Sequence, residues 1–121
     1  MVGYATVGTN DLKKATAYYE ALLAEIGARR VIELDRIVIW ANQQGMLGVC
    51  LPHDGRPASV GNGTMIGLNV GSNEAVHKVH AKALALGGTD EGAPGDRGSG
   101  FYAGYFRDLD GNKLVAFNLT I

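Results

Sequence analysis

Apolar residues fall along this chain in two rhythms, one with the period of a helix face and one alternating like the two sides of a strand. Leu12, Ala15, Tyr19, Leu22, Leu23 and Ile26 recur at spacings of three, four and seven, which predicts one buried helical stripe. Asn10 and Asp11 stand ahead of it, where either side chain can accept from free helical N–H groups, and Gly27 is placed to stop it. Before the helix, Gly3 to Thr9 reads as extended. After it come three short β-rich runs, Arg29 to Leu34, Arg36 to Ala41 and Met46 to Leu51. The first half therefore predicts βαβββ.

The second half repeats that order. Pro52 to Asn62 is a polar linker containing Pro and Gly, and Gly63 to Val70 reads as a strand. Ser72 is a cap, and Val76, Val79, Ala83 and Leu86 form the apolar stripe of a second helix, stopped by Gly87-Gly88. A short strand near Thr89 to Gly92 and a loop from Ala93 to Gly100 lead into a hairpin. Its arms are Phe101 to Phe106 and Lys113 to Leu119, joined by the turn-forming Asp108-Leu109-Asp110-Gly111-Asn112. Aligning the caps Asp11 and Ser72 offsets the halves by 61 residues, while the literal match VGTND with VGSNE prefers 63; cap-to-stop lengths favour 61. The expectation is an α+β chain of two tandem βαβββ modules, about residues 1–51 and 63–121, joined by 52–62 in one domain.

Composition removes several classes of function. The 11 basic and 12 acidic residues leave a net charge of −1, with no electrostatic footprint for nucleic acid or an anionic membrane. Apolar stretches are broken well short of the roughly 20 residues a membrane span needs, and Met1 leads straight into a strand-like segment. Cys50 is the single cysteine, so there is neither an intrachain disulfide nor a Cys-rich zinc site. These features predict a soluble, cytoplasmic protein.

The duplicated βαβββ plan, with GYATVGTNDLKKATAYYEALLAEIG at the start, DGRPASVGNGTM at the linker and GFYAGYFRDLDGNKL at the end, resembles the vicinal oxygen chelate superfamily. That superfamily includes glyoxalase I, bleomycin and fosfomycin resistance proteins and extradiol dioxygenases. The resemblance implies that each module curls into a cupped mixed sheet with its helix on the outer face. It also implies metal ligands on the first and last strands of each module. On this chain those positions hold Tyr4, Met65 and Val115, with a fourth near Gly48, Val49 or Cys50 whose register the sequence leaves open. Tyr is a poor ligand for such metals, Met is soft and Val cannot coordinate, so the expectation is no metal and no other cofactor. In place of a metal site the pattern offers an aromatic cavity.

Strand alternation puts Tyr4 with Thr6, Met65 with Gly67 and Asn69, Phe101 with Ala103 and Tyr105, and Val115 with Phe117 on one side of their strands. Tyr105 matches a ligand-contacting Tyr of the fosfomycin resistance enzymes, and Trp40 lies on a strand that often lines the pocket. The candidate ligand-binding residues are thus Tyr4, Thr6, Trp40, Met65, Tyr105, Val115 and Phe117. The same residues would also serve simply as core. The functional expectation is a metal-independent protein that binds a small molecule. The alternative is an enzyme, a glyoxalase-type lyase or isomerase with unconventional ligands or a dioxygenase-related enzyme, or a metal-free catalyst with Tyr4 or Tyr105 as its acid. His77 and His80, three apart but off the apolar stripe, read as a solvated helix face, and His53 with Asp54 as a surface loop. Cys50 reads as a small buried group, and the loop from Gly95 to Gly100, with Arg97, as a lid or a plain connection. With 46% hydrophobic residues in 121, a homodimer covering apolar strand surface is expected.

Overall fold

The computed structural model describes residues 1–120, which fall into two compact units, Met1–Asn62 and one beginning at Gly63. The first unit contains β1 (Tyr4–Gly8), α1 (Leu12–Ala24), β2 (Arg29–Glu33), β3 (Ile37–Asn42) and β4 (Gly45–Cys50). The second contains β5 (Ile66–Asn69), α2 (Asn73–Ala85), β6 (Thr89–Asp96), β7 (Phe101–Arg107) and β8 (Lys113–Leu119). Each unit is βαβββ, as the pattern of apolar positions predicts. Their sheets have the same order, β1-β4-β3-β2 and β5-β8-β7-β6. In both, the strand before the helix lies parallel to the last strand and the other neighbours are antiparallel. Both helices have 13 residues, and their first residues, Leu12 and Asn73, stand at the 61-residue offset rather than 63.

The helix starts follow from their caps. Asp11 accepts from the Lys14 N–H at 3.1 Å, and Ser72 accepts from the Ala75 N–H at the same distance. Thr9, fully buried, donates its N–H to the Cys50 carbonyl at 2.9 Å and offers Oγ1 to the Asp11 N–H at 3.0 Å. The end of β1 is thereby tied both to β4 and to the start of α1. Helix α1 buries Ala15, Tyr18, Tyr19, Leu22 and Leu23 against its sheet; Tyr18 joins the expected stripe, while Leu12 and Ile26 sit at its half-buried margins.

The segment 52–62 packs as part of the first unit. Asn10 accepts from the Ala58 N–H at 2.6 Å and donates back to its carbonyl at 3.3 Å, so one side-chain amide holds this stretch like a paired strand. In the second unit β6 runs on to Asp96, absorbing half of the expected loop. Two register shifts, between Asp90 and Gly92 and between Gly92 and Gly95, let a strand rich in Gly and Pro keep its pairing with β7. The hairpin turn is organised by Asp108, 4% exposed. One of its carboxylate oxygens accepts the Asp110 and Asn112 N–H groups and the other accepts the Asn112 side-chain amide, all at 2.9 Å.

Candidate functional site

Pleating gives each sheet one face against its helix and one face without it, and strand register assigns every side chain to one of the two. In the second unit Gly104 and Phe106 lie on the helix side: the His80 ring meets the Phe106 ring edge-on, and a Cβ on Gly104 would sit 3.2 Å from the His80 ring. The alternate residues of β7, Phe101, Ala103, Tyr105 and Arg107, therefore occupy the helix-free face. They pair directly with Leu119, Phe117, Val115 and Lys113 of β8. Gly67 and Asn69 of β5 stand beside Val115 and Phe117 on the same face.

This face combines aromatic area with charge. Phe101 and Phe117 stack at 5.6 Å with a 25° interplanar angle, both half-buried. Two glycines let rings lie against backbone: a Cβ on Gly67 would come within 3.1 Å of the Phe117 ring, and one on Gly92 within 3.1 Å of the Tyr105 ring. Val115, 2% exposed, forms the floor between Tyr105 and Gly67. Around the Tyr105 ring stand two cations, the Arg97 guanidinium at 5.3 Å and the Lys113 ammonium at 5.5 Å. Arg107 binds Glu91 at 3.0 Å, and Lys113 lies 3.9 Å from the same carboxylate. Met65 immediately precedes β5 and is 45% exposed, outside the strand that the sequence extended back to Gly63.

In the first unit, Tyr4, Thr6 and Gly8 of β1 stand beside Met46, Gly48 and Cys50 of β4, which in turn pair with Ala41, Ile39 and Ile37 of β3. This fixes the register the sequence left open: Gly48 faces with Thr6, away from the helix, and Val49 does not. Tyr4 and Thr6 are both exposed. Cys50 is only half-buried, against the expectation of a buried group.

Trp40 is a correction. It lies on the other face of β3, 1% exposed, with its ring 6.1 Å from Tyr19 of α1 and its Nε1–H donating to Glu20 at 3.1 Å. Arg30 covers the indole at 5.9 Å and also binds Glu20 at 2.6 Å. Those bonds from Arg30 and then Trp40 hold the Glu20 carboxyl below the usual carboxylate range. Trp40 is thus a core residue between sheet and helix. One surface groove of about 370 Å³ lies near it, also on the helix side, lined by Leu12, Lys13, Thr16, Arg30, Glu33, Leu34 and Val38.

His80 is a second correction. It is 6% exposed, with Nε2 at 3.1 Å from both Asp90 Oδ1 and the Tyr105 carbonyl oxygen. Two acceptors at one nitrogen place a proton there. His77 remains exposed and pairs with the Tyr102 hydroxyl at 2.5 Å. His53 and Asp54 are exposed, as expected of a surface loop.

Arg97 closes the tight connection between β6 and β7. Its N–H donates to the Phe101 carbonyl at 2.7 Å, and its Nη2 donates to the carbonyls of Ala93 and Ala103, which carries the guanidinium across to Tyr105. The sequence reading missed Arg107, Lys113 and Glu91. The first two were legible, since each stands two residues along the strand from Tyr105 or Val115 and shares its face. Glu91 was not, because the bulges in β6 break simple alternation. Among the described residues no group of three or more His, Cys, Asp or Glu side chains is assembled as a metal-holding cluster, and no helix is long and apolar enough to cross a membrane.

Residues 2–116 match the family model of the glyoxalase/bleomycin resistance protein/dioxygenase superfamily. The structure is similar to that of a glyoxalase/bleomycin resistance protein from Albidiferax ferrireducens T118, with 35% identity, a TM-score of 0.92 and 99% of each chain covered. A hypothetical protein from S. aureus is similar at 26% identity and a TM-score of 0.72, covering 98% of this chain and 96% of that one. A lactoylglutathione lyase from Agrobacterium tumefaciens shares the fold, with a TM-score of 0.74, 20% identity and coverage of 98% of this chain and 92% of that one. No curated protein sequence matches the chain.

Proposed function

The chain belongs to the glyoxalase/bleomycin resistance protein/dioxygenase superfamily, and from that premise we propose that it binds a small organic molecule on the helix-free face of its second unit, without a metal ion. The observation that carries this reading is the face itself. Stacked Phe101 and Phe117 and the Tyr105 ring present aromatic surface beside a few polar groups, the usual make-up of a small-molecule site, and exposed Met65 stands just ahead of β5.

A metal site of the superfamily's kind does not fit the residues present. The helix-free positions of β5, β7 and β8 supply Gly67, Asn69, Phe101, Ala103, Tyr105, Arg107, Lys113, Val115, Phe117 and Leu119, with no imidazole and no carboxylate. In the first unit β1 offers Tyr4 and Thr6, and β4 offers Met46, Gly48 and Cys50. Hard divalent ions need oxygen donors of carboxylate type or imidazole nitrogens, and neither pattern provides them. Glu91 approaches from β6, but it is engaged by Arg107. Metal-assisted isomerisation accordingly lacks its metal ligands on this face, and the carboxylate that could serve as base there, Glu91, is tied to Arg107.

The test is a screen of small aromatic compounds followed by amide chemical shifts, alongside elemental analysis of dialysed protein. Binding should move signals of Met65, Tyr105 and Phe117, and Phe117→Ala should weaken it. Stoichiometric zinc, nickel, iron or manganese surviving dialysis would refute the metal-free reading; shifts confined to the helix side would refute the site.

A further inference from the structure

We infer that the ligand of this face is a monoanion, a carboxylate carried on an apolar or aromatic body, with its charge held by Arg97 and Lys113 beside the Tyr105 ring. The inference rests on the binding reading above and adds to it the chemical class of ligand.

It begins with an imbalance of charge. From Gly63 onward the chain carries five basic residues, Lys78, Lys82, Arg97, Arg107 and Lys113, against six acidic ones, Glu74, Asp90, Glu91, Asp96, Asp108 and Asp110. The acidic groups are mostly held elsewhere. Glu74 pairs with Lys78 along α2 at 3.2 Å, and Asp90 binds the Gly92 N–H and His80. Asp96 accepts the Gly98 N–H at 2.7 Å, and Asp108 organises the turn that also contains Asp110. Three of the five cations, by contrast, reach the helix-free face, where Glu91 meets two of them, Arg107 and Lys113.

Glu91 is directed at Arg107, at 3.0 Å, and stands 3.9 Å from Lys113. Among the described residues no carboxylate pairs with Arg97, whose hydrogen bonds run to the carbonyls of Ala93 and Ala103. Those bonds fix the guanidinium in place without neutralising it. After Glu91 offsets Arg107, two positive charges remain around one aromatic ring. Each is drawn to the negative face of the Tyr105 π-system, a weak attraction where water reaches the cation. A ligand carboxylate offers both cations a far better partner, through charge-assisted hydrogen bonds.

The choice of a monoanion over a phosphate-like dianion follows from the donors. Phosphate sites combine a guanidinium fork with backbone N–H groups converging on the anion. Here Arg97 has committed Nη2 to carbonyls, and the β7–β8 positions present side chains rather than a nest of N–H groups. The stacked Phe101 and Phe117 lie on the same face, two positions along β7 and β8 from Ala103 and Val115, and give the body of the ligand its apolar seat.

A matched set of probes tests this: 2-naphthoate, neutral 2-naphthalenemethanol and cationic 2-naphthylmethylammonium, titrated into the full chain by calorimetry and amide shift mapping. We expect 2-naphthoate to bind at least tenfold tighter than the other two, with affinity falling as salt is raised. Lys113→Gln, which removes a side chain with no structural hydrogen bond, should lower naphthoate affinity about fivefold and leave the neutral probe unchanged; Arg97→Gln should cost about tenfold. If all three probes bind equally at this face, the binding reading stands and the anion inference is overturned. Preferred binding of the ammonium probe overturns it as well. If none binds, both the inference and the site it rests on fail.

Discussion

Replacing Trp40 by Phe separates a core role from a binding role. The indole is 1% exposed and contributes a packed ring against Tyr19 and an N–H donated to Glu20. Phe retains a six-membered ring but loses the pyrrole part and the donor. The lost packing, with a residual cavity, costs about 1–2 kcal/mol, at the mild end of large-to-small core changes. A hydrogen bond to a charged group is worth about 1.5–3 kcal/mol, but the Glu20 side chain is 48% exposed, so water replaces much of it and about 1 kcal/mol is the better figure. The sum, about 2–3 kcal/mol, is a large part of the ~5–15 kcal/mol that holds a domain together. Urea unfolding followed by far-UV circular dichroism measures it.

There is a pH signature too. Bonds from Arg30 and then Trp40 lower the Glu20 pKa in the folded state. The stability this confers is therefore present above the unfolded carboxylate pKa and fades as pH falls through the lower folded value. Trp40→Phe should shrink that acid-side loss while leaving small-molecule binding within twofold of the parent. A variant of unchanged stability that no longer binds ligand would refute the reasoning and return Trp40 to the binding site.

Three further outcomes are expected. Asp108→Ala strips the partners from two backbone N–H groups and one side-chain amide in the β7–β8 turn, and should lower stability by about 2–4 kcal/mol in the same urea assay; a loss under 0.5 kcal/mol would show that the turn holds without it. Gly100→Ala puts a methyl group into the Thr120 carbonyl oxygen at a φ of 79°, so it should destabilise by more than 2 kcal/mol, and a thermal midpoint equal to the parent's would contradict that geometry. Edge strand β2 is exposed along its whole length, with Val31 at 53% and Ile32 at 40%, and Leu34 just beyond it at 64%. We propose that a second copy covers it, which predicts a light-scattering mass near twice 12.7 kDa; a mass of 12.7 kDa at micromolar concentration would refute the dimer.

Much of the fold is determined by local chemistry that a sequence displays. Asp11 and Ser72 each cap the helix that starts at the next residue, the apolar stripes of α1 and α2 bury only one way, and Asp108 to Asn112 closes a turn through short-range bonds, so the duplicated βαβββ order and its 61-residue offset were legible. Alternation within a strand is equally local, which is why Phe101, Ala103, Tyr105, Val115 and Phe117 were grouped correctly. Which side of a sheet meets the helix is a different kind of fact. Alternation in β3 says that Trp40 and Ile39 face oppositely, but only the docking of Tyr19 and Glu20 decides that Trp40 is the one turned to α1. His80 fell off the apolar stripe because a histidine does not count as apolar, yet Asp90 and the Tyr105 carbonyl, from β6 and β7, satisfy its ring and offset the cost of burial. The cations around Tyr105 were likewise assembled in space. Arg97 comes from a connection, Lys113 from β8, and their meeting depends on a β6 that two bulges bend out of simple period-two order, a long-range arrangement with no local pattern to announce it.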